Sequence, residues 1–76
     1  MSLKEQIDSV LANFEHVSSN EFIEILNSIK PHFKNKLIVE YLEGKIQKID
    51  NLQDEKEKLT QCKTLIPYLD WYLQGL

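Results

Sequence analysis

Ser18-Ser19-Asn20-Glu21-Phe22-Ile23-Glu24-Ile25-Leu26-Asn27-Ser28-Ile29-Lys30-Pro31 is a helix with both of its ends written into the sequence. Ser18 and Glu21 stand three apart, as in a capping box, where the serine hydroxyl accepts a hydrogen bond from the N3 backbone N–H and fixes the helix start. Val17, just before the cap, is placed to staple onto the first turn. Phe22, Ile25, Leu26 and Ile29 recur at the spacing of one helical face. Pro31 then ends the helix, because it lacks a backbone N–H and disfavours helical geometry at Lys30.

The same logic extends in both directions. Upstream, Ser2-x-x-Glu5 is a second capping box and opens onto Leu3, Ile7, Val10, Leu11 and Phe14, while Lys4, Glu5, Asp8 and Glu15 lie off that stripe. Downstream, Pro31 fits the first turn of a third helix running through Phe33, Leu37, Ile38, Tyr41, Leu42, Ile46 and Ile49. Gly44 weakens that helix by about 1 kcal/mol relative to alanine and is a place where a neighbouring helix could approach closely. Asp50-x-x-Gln53 is a third capping signal, opening a fourth segment with Leu52, Leu59, Cys62, Ile66, Leu69, Leu73 and Leu76 on one seam that Glu55 interrupts. Pro67 must bend or split this segment near residues 63–67, with Thr64 as the cap of a restarted helix. Strand-like alternation, hairpin turns and internal repeats are all missing from the sequence. The expected fold is all-α: a compact antiparallel four-helix bundle, one domain over residues 1–76, its last helix bent or split near Pro67.

A chain of 76 residues buries only about 60% of the surface it exposes when unfolded, so its core is small. Chains of this size usually need a disulfide, a metal or a partner subunit, and the lone Cys62 rules out an intrachain disulfide. The N-terminus does not read as a secretory signal, and no stretch approaches the roughly 18 apolar residues of a membrane span. The expectation is a cytoplasmic protein. Net charge is −3 and all nine basic residues are lysines. Without arginine the chain has no planar fork for bidentate phosphate recognition, which makes nucleic acid a poor default partner. Charge is nevertheless uneven: −4 over residues 1–29, +3 over 30–49 and −2 over 50–76. The lysines of helix three therefore support a secondary reading as a nucleic-acid-associated regulator.

Chemistry-bearing residues are few. His32 with Lys34 and Lys36 nearby suggests a histidine phosphotransfer-like domain, but lysines at +2 and +4 do not reproduce the His-x-x-Lys-Gly pattern of such domains. His16, near the end of the first helix, suits the negative end of the helix dipole. His16, His32 and Cys62 lack metal-ligand spacing. Cys62 sits on an apolar seam with no adjacent base to generate the thiolate. Asp54-Glu55-Lys56-Glu57-Lys58 reads as a solvated face of alternating charge. No catalytic residue, cofactor, metal or small-molecule substrate is expected.

The departure from an ordinary amphipathic pattern lies in Leu65-Ile66-Pro67-Tyr68-Leu69-Asp70-Trp71-Tyr72-Leu73-Gln74-Gly75-Leu76, where eight residues are large and apolar or aromatic. A helix apolar over most of its circumference is either enclosed or offers a face to a partner. In so small a bundle enclosure is difficult, which points to Leu65, Tyr68, Trp71, Tyr72 and Leu76 as interface residues. The expected function is a non-enzymatic protein-protein interaction module, a small regulator, adaptor or chaperone that self-associates as a homodimer through this aromatic helix.

Overall fold

The first three helices start where a side chain reaches the free backbone donors of the first turn. In the computed structural model, which describes residues 2–75, the Oγ of Ser2 accepts from the Glu5 N–H at 3.2 Å and opens α1 (Leu3–Ala12). The Oγ of Ser18 accepts from the Glu21 N–H at 3.2 Å and opens α2 (Ser19–Ile29). Both predicted caps form.

The third start differs from the sequence expectation. Pro31 lies in a 3₁₀ turn (Lys30–His32), and α3 (Lys36–Asn51) begins only after Asn35, whose Oδ1 accepts the Leu37 N–H at 2.9 Å. Phe33 is the reason: its backbone is extended, which sends the ring into the core before the helix resumes. At the other end α3 continues through Asp50, placing Ile49 in the core. Asp50 therefore caps nothing, and α4 (Glu55–Lys63) starts five residues later.

Pro67 divides the last segment as expected. Thr64 terminates α4, its N–H and its Oγ1–H both donating to the Gln61 carbonyl at 3.1 and 2.6 Å. After Leu65, α5 (Ile66–Leu73) restarts with Pro67 in its first turn, where no helical hydrogen bond is lost. Thr64 thus closes one helix rather than capping the next.

The result is all-helical, with five α-helices among the described residues, not the four of an antiparallel bundle. α2 occupies the centre and packs against α1, α3, α4 and α5. Phe22, Leu26 and Ile29 on α2 are wholly buried, together with Ile7 from α1, Leu42 from α3, Cys62 from α4 and Leu65 and Leu69 around α5. The Cα radius of gyration, 11.7 Å, matches the roughly 11.4 Å of a close-packed chain of this length. Among the described residues no helix is long and apolar enough to cross a membrane.

Candidate functional site

Among the described residues three large apolar side chains remain exposed, and all three lie on the face where α3 meets α5. Leu37 is 73% exposed, Tyr41 49% and Trp71 43%. Leu37 and Tyr41 stand one turn apart on α3, so they share a face. Tyr41 touches Tyr68 with ring centroids 5.9 Å apart, and Tyr68 touches Trp71 at 6.4 Å. Beneath them the buried Phe33 ring meets Tyr68 and Trp71 edge-on at 6.2 and 5.5 Å. Such edge-to-face pairs are favourable and hold the rings in fixed orientation. Burial, with Tyr41 alongside, pushes the Tyr68 phenol upward, so it is neutral at physiological pH.

The residues named from sequence divide among three places. Tyr68 and Trp71 belong to this face. Tyr72 turns to His32, with centroids 5.4 Å apart. Leu65 is completely buried in the core and presents no surface. Leu76 lies outside the described residues. Leu37 and Tyr41 were assigned to the apolar stripe of helix three instead. A signal was present: five residues separate Leu37 from Leu42, about 140° around the helix. A stripe that wide exceeds what one packing face can cover.

Gly44 lies on the same side of α3, one turn beyond Tyr41, and a Cβ built there meets nothing within 4 Å. No neighbouring helix approaches it within the monomer, so close packing of the chain on itself does not account for this glycine.

The remaining polar features are mostly structural. Glu55 of α4 accepts the Ser19 N–H at 2.8 Å and the Ser19 Oγ–H at 2.6 Å, satisfying a buried serine at the start of α2. The two Ser19 bonds, side chain first, and Lys58 nearby lower the Glu55 carboxyl below its ordinary range against the opposing effect of desolvation. This bond spans 36 residues of sequence, and no local pattern announces it. The Cys62 thiol is buried, and desolvation, reinforced by the charge of Glu55, pushes it up to about 11. It is a protonated core group at neutral pH, remote from the activated thiolate of a nucleophile. Among the described residues, no three His, Cys, Asp or Glu side chains gather in a metal-binding group.

The lysines around helix three do not form one basic strip. Lys30 pairs with Glu43 at 3.6 Å, and Lys45 donates to the Gln61 Oε1 at 3.2 Å. Lys36 and Lys45 stand nine residues apart, about two and a half turns, and so project from opposite sides of α3. The surface also carries concave regions. A groove of about 520 Å³ between α1 and α2 has Val10, Val17 and Ile25 in its floor and Glu21, Glu24 and His16 at its edge. A second cleft, about 410 Å³, lies where the start of α1 meets the end of α5. No protein-family model, curated protein or solved structure matches this chain.

Proposed function

We propose that this chain is a non-enzymatic protein-interaction module that acts as a homodimer through the α3–α5 face, in the manner of a small regulator, adaptor or chaperone. The observation that carries the reading is that Leu37, Tyr41 and Trp71, the three exposed large apolar residues among those described, form one continuous surface with Tyr68.

The size of that surface supports a second copy as the occupant. With aromatic side chains of about 150–250 Å² each and a leucine at the low end of that range, the exposed fractions amount to roughly 250–350 Å². A standard interface takes about 800 Å² from each partner, a little over half of it apolar, so one patch per copy supplies most of that apolar share. Gly44, on the same side of α3, lies in open space within the monomer, and the reading seats a ring of the second copy against it. The chain also has a need for a partner. It exposes 5111 Å², so it buries only about three fifths of its extended surface, and Cys62 forms no disulfide. A nucleic-acid reading draws less support, because the lysines of helix three are dispersed around it, Lys45 is engaged by Gln61 and the preceding Lys30 by Glu43.

Light scattering coupled to size exclusion tests the proposal. The parent at tens of micromolar is expected to run as a dimer, and Trp71→Ala and Tyr41→Ala as helical monomers. A monomeric parent at that concentration overturns it. So do variants that remain dimeric.

A further inference from the structure

Lys4 from α1, His32 from the 3₁₀ turn and Lys34 from the extended segment before α3 are exposed side chains that line one cleft of about 410 Å³, together with Tyr72, Leu73 and Gly75. These residues come from separate parts of the chain, and the fold replaces Lys36, the neighbour suggested by sequence, with Lys4. From this arrangement we infer a binding site for a small aromatic phosphomonoester.

The cleft is basic in an acidic protein. Net charge is −3, yet no described carboxylate lines this cleft. The ion pair formed among the described residues, Lys30 with Glu43, lies elsewhere, so neither Lys4 nor Lys34 is paired with a described carboxylate. Like charges gathered without a counter-charge repel one another and attract an anion into the space between them.

The donor set favours phosphate. Lysine ammonium groups bind phosphate as point charges, and an imidazole N–H donates in either protonation state. Three donors approaching from separate elements suit a tetrahedral group with several oxygens better than the two coplanar oxygens of a carboxylate. The volume and the wall identify what carries the phosphate. A space of about 410 Å³ is far larger than a bare anion and falls within the roughly 300–1,000 Å³ of small-molecule sites. Tyr72 is held edge-on against His32 and, with Leu73, offers a flat apolar surface beside the donors. An aromatic ester places its phosphate on the lysines and its ring on Tyr72. Trp71 and Tyr41 do not line the cleft, so this inference stands apart from the dimer reading.

Titration of the full chain, followed by backbone amide NMR, tests the site with phenyl phosphate, inorganic phosphate and phenol. Phenyl phosphate is expected to shift the resonances of Lys4, His32, Lys34 and Tyr72 along one saturable curve, with inorganic phosphate weaker and phenol weakest. Lys4→Gln combined with Lys34→Gln should weaken phenyl phosphate binding at least tenfold, while Lys45→Gln combined with Lys48→Gln leaves it unchanged. Any other order of the three probes overturns the assignment, as do shifts scattered over all the lysines or equal loss in both double variants. The amide spectrum of each variant, compared with the parent, shows that the fold is kept.

Discussion

α2 and α3 carry similar apolar patterns and meet opposite fates. α2 spans 11 residues, buries Ser19, Phe22, Ile23, Ile25, Leu26 and Ile29, and is surrounded by the other helices. α3 is longer, at 16 residues, yet buries only Leu42, Ile46 and Ile49 and leaves Leu37 and Tyr41 in solvent. Periodicity selects which side of a helix is apolar, but the number of neighbours decides how much of that side is covered. α2 has helices on several sides. α3 lies at the periphery, and the apolar flank that its neighbours do not cover is the surface available for association.

The sharpest contrast is expected from truncation on the two helices. Phe22 is completely buried and meets Phe14 edge-on with centroids 5.7 Å apart. Phe22→Ala should cost about 3–5 kcal/mol, a large part of the stability available to a chain of this size. Leu37→Ala, measured in the monomeric Trp71→Ala background, should change stability by no more than about 0.5 kcal/mol. Urea melts at matched protein concentration compare the two. Similar losses would mean that α3 is packed as tightly as α2, and the comparison would fail.

Glu55 provides the next test, because it ties the start of α4 to the start of α2 and leaves α3 untouched. Its folded carboxyl titrates below the ordinary value of 4.5, so the stabilisation is fully present above that value and is lost as pH falls toward the lowered one. The parent should lose more stability than Glu55→Gln as pH falls through and below 4.5, and the variant should start lower at pH 7. Parallel pH profiles of the two urea midpoints would show that the Ser19 contact adds nothing.

Local chemistry was legible in the sequence, and contacts between distant segments were not. Ser18 and Pro67 act through their own neighbours, so the start of α2 and the break before α5 could be read directly. Asn35 and Asp50 show the limit: the need to place Phe33 and Ile49 in the core moved the boundaries of α3 away from the nearest proline and the nearest capping pattern. Glu55 interrupts an apolar seam, but only the fold brings Ser19 to it. Tyr68 and Trp71 were readable as aromatic anchors on an overly apolar helix. Their partners Leu37 and Tyr41 were not separated from the core stripe, because exposure there depends on what the other helices fail to cover. For the caps themselves, Ser18→Ala should cost about 1 kcal/mol, and Ser2→Ala roughly a few tenths, since Ser18 is half-buried between the buried Val17 and Ser19 while Ser2 is exposed. Urea midpoints of the two variants check the order, and a larger loss at Ser2 would reverse it.

The smallest expected effect discriminates most finely between a solvated α3 and a packed one. A glycine inside a helix costs about 0.5–1 kcal/mol relative to alanine, and nothing within the monomer meets a Cβ at Gly44. In the monomeric Trp71→Ala background, Gly44→Ala should therefore raise stability by that amount, read as a higher urea midpoint. In the parent the same methyl group would occupy the seat proposed for a ring of the second copy, so the dimer dissociation constant should rise several-fold even as each folded chain becomes more stable. Opposite signs for folding and association are not produced by a helix whose outer face only meets water. If Gly44→Ala stabilises the chain and leaves association unchanged, the Gly44 end of α3 lies outside the contact, and the proposed face narrows to Leu37, Tyr41, Tyr68 and Trp71.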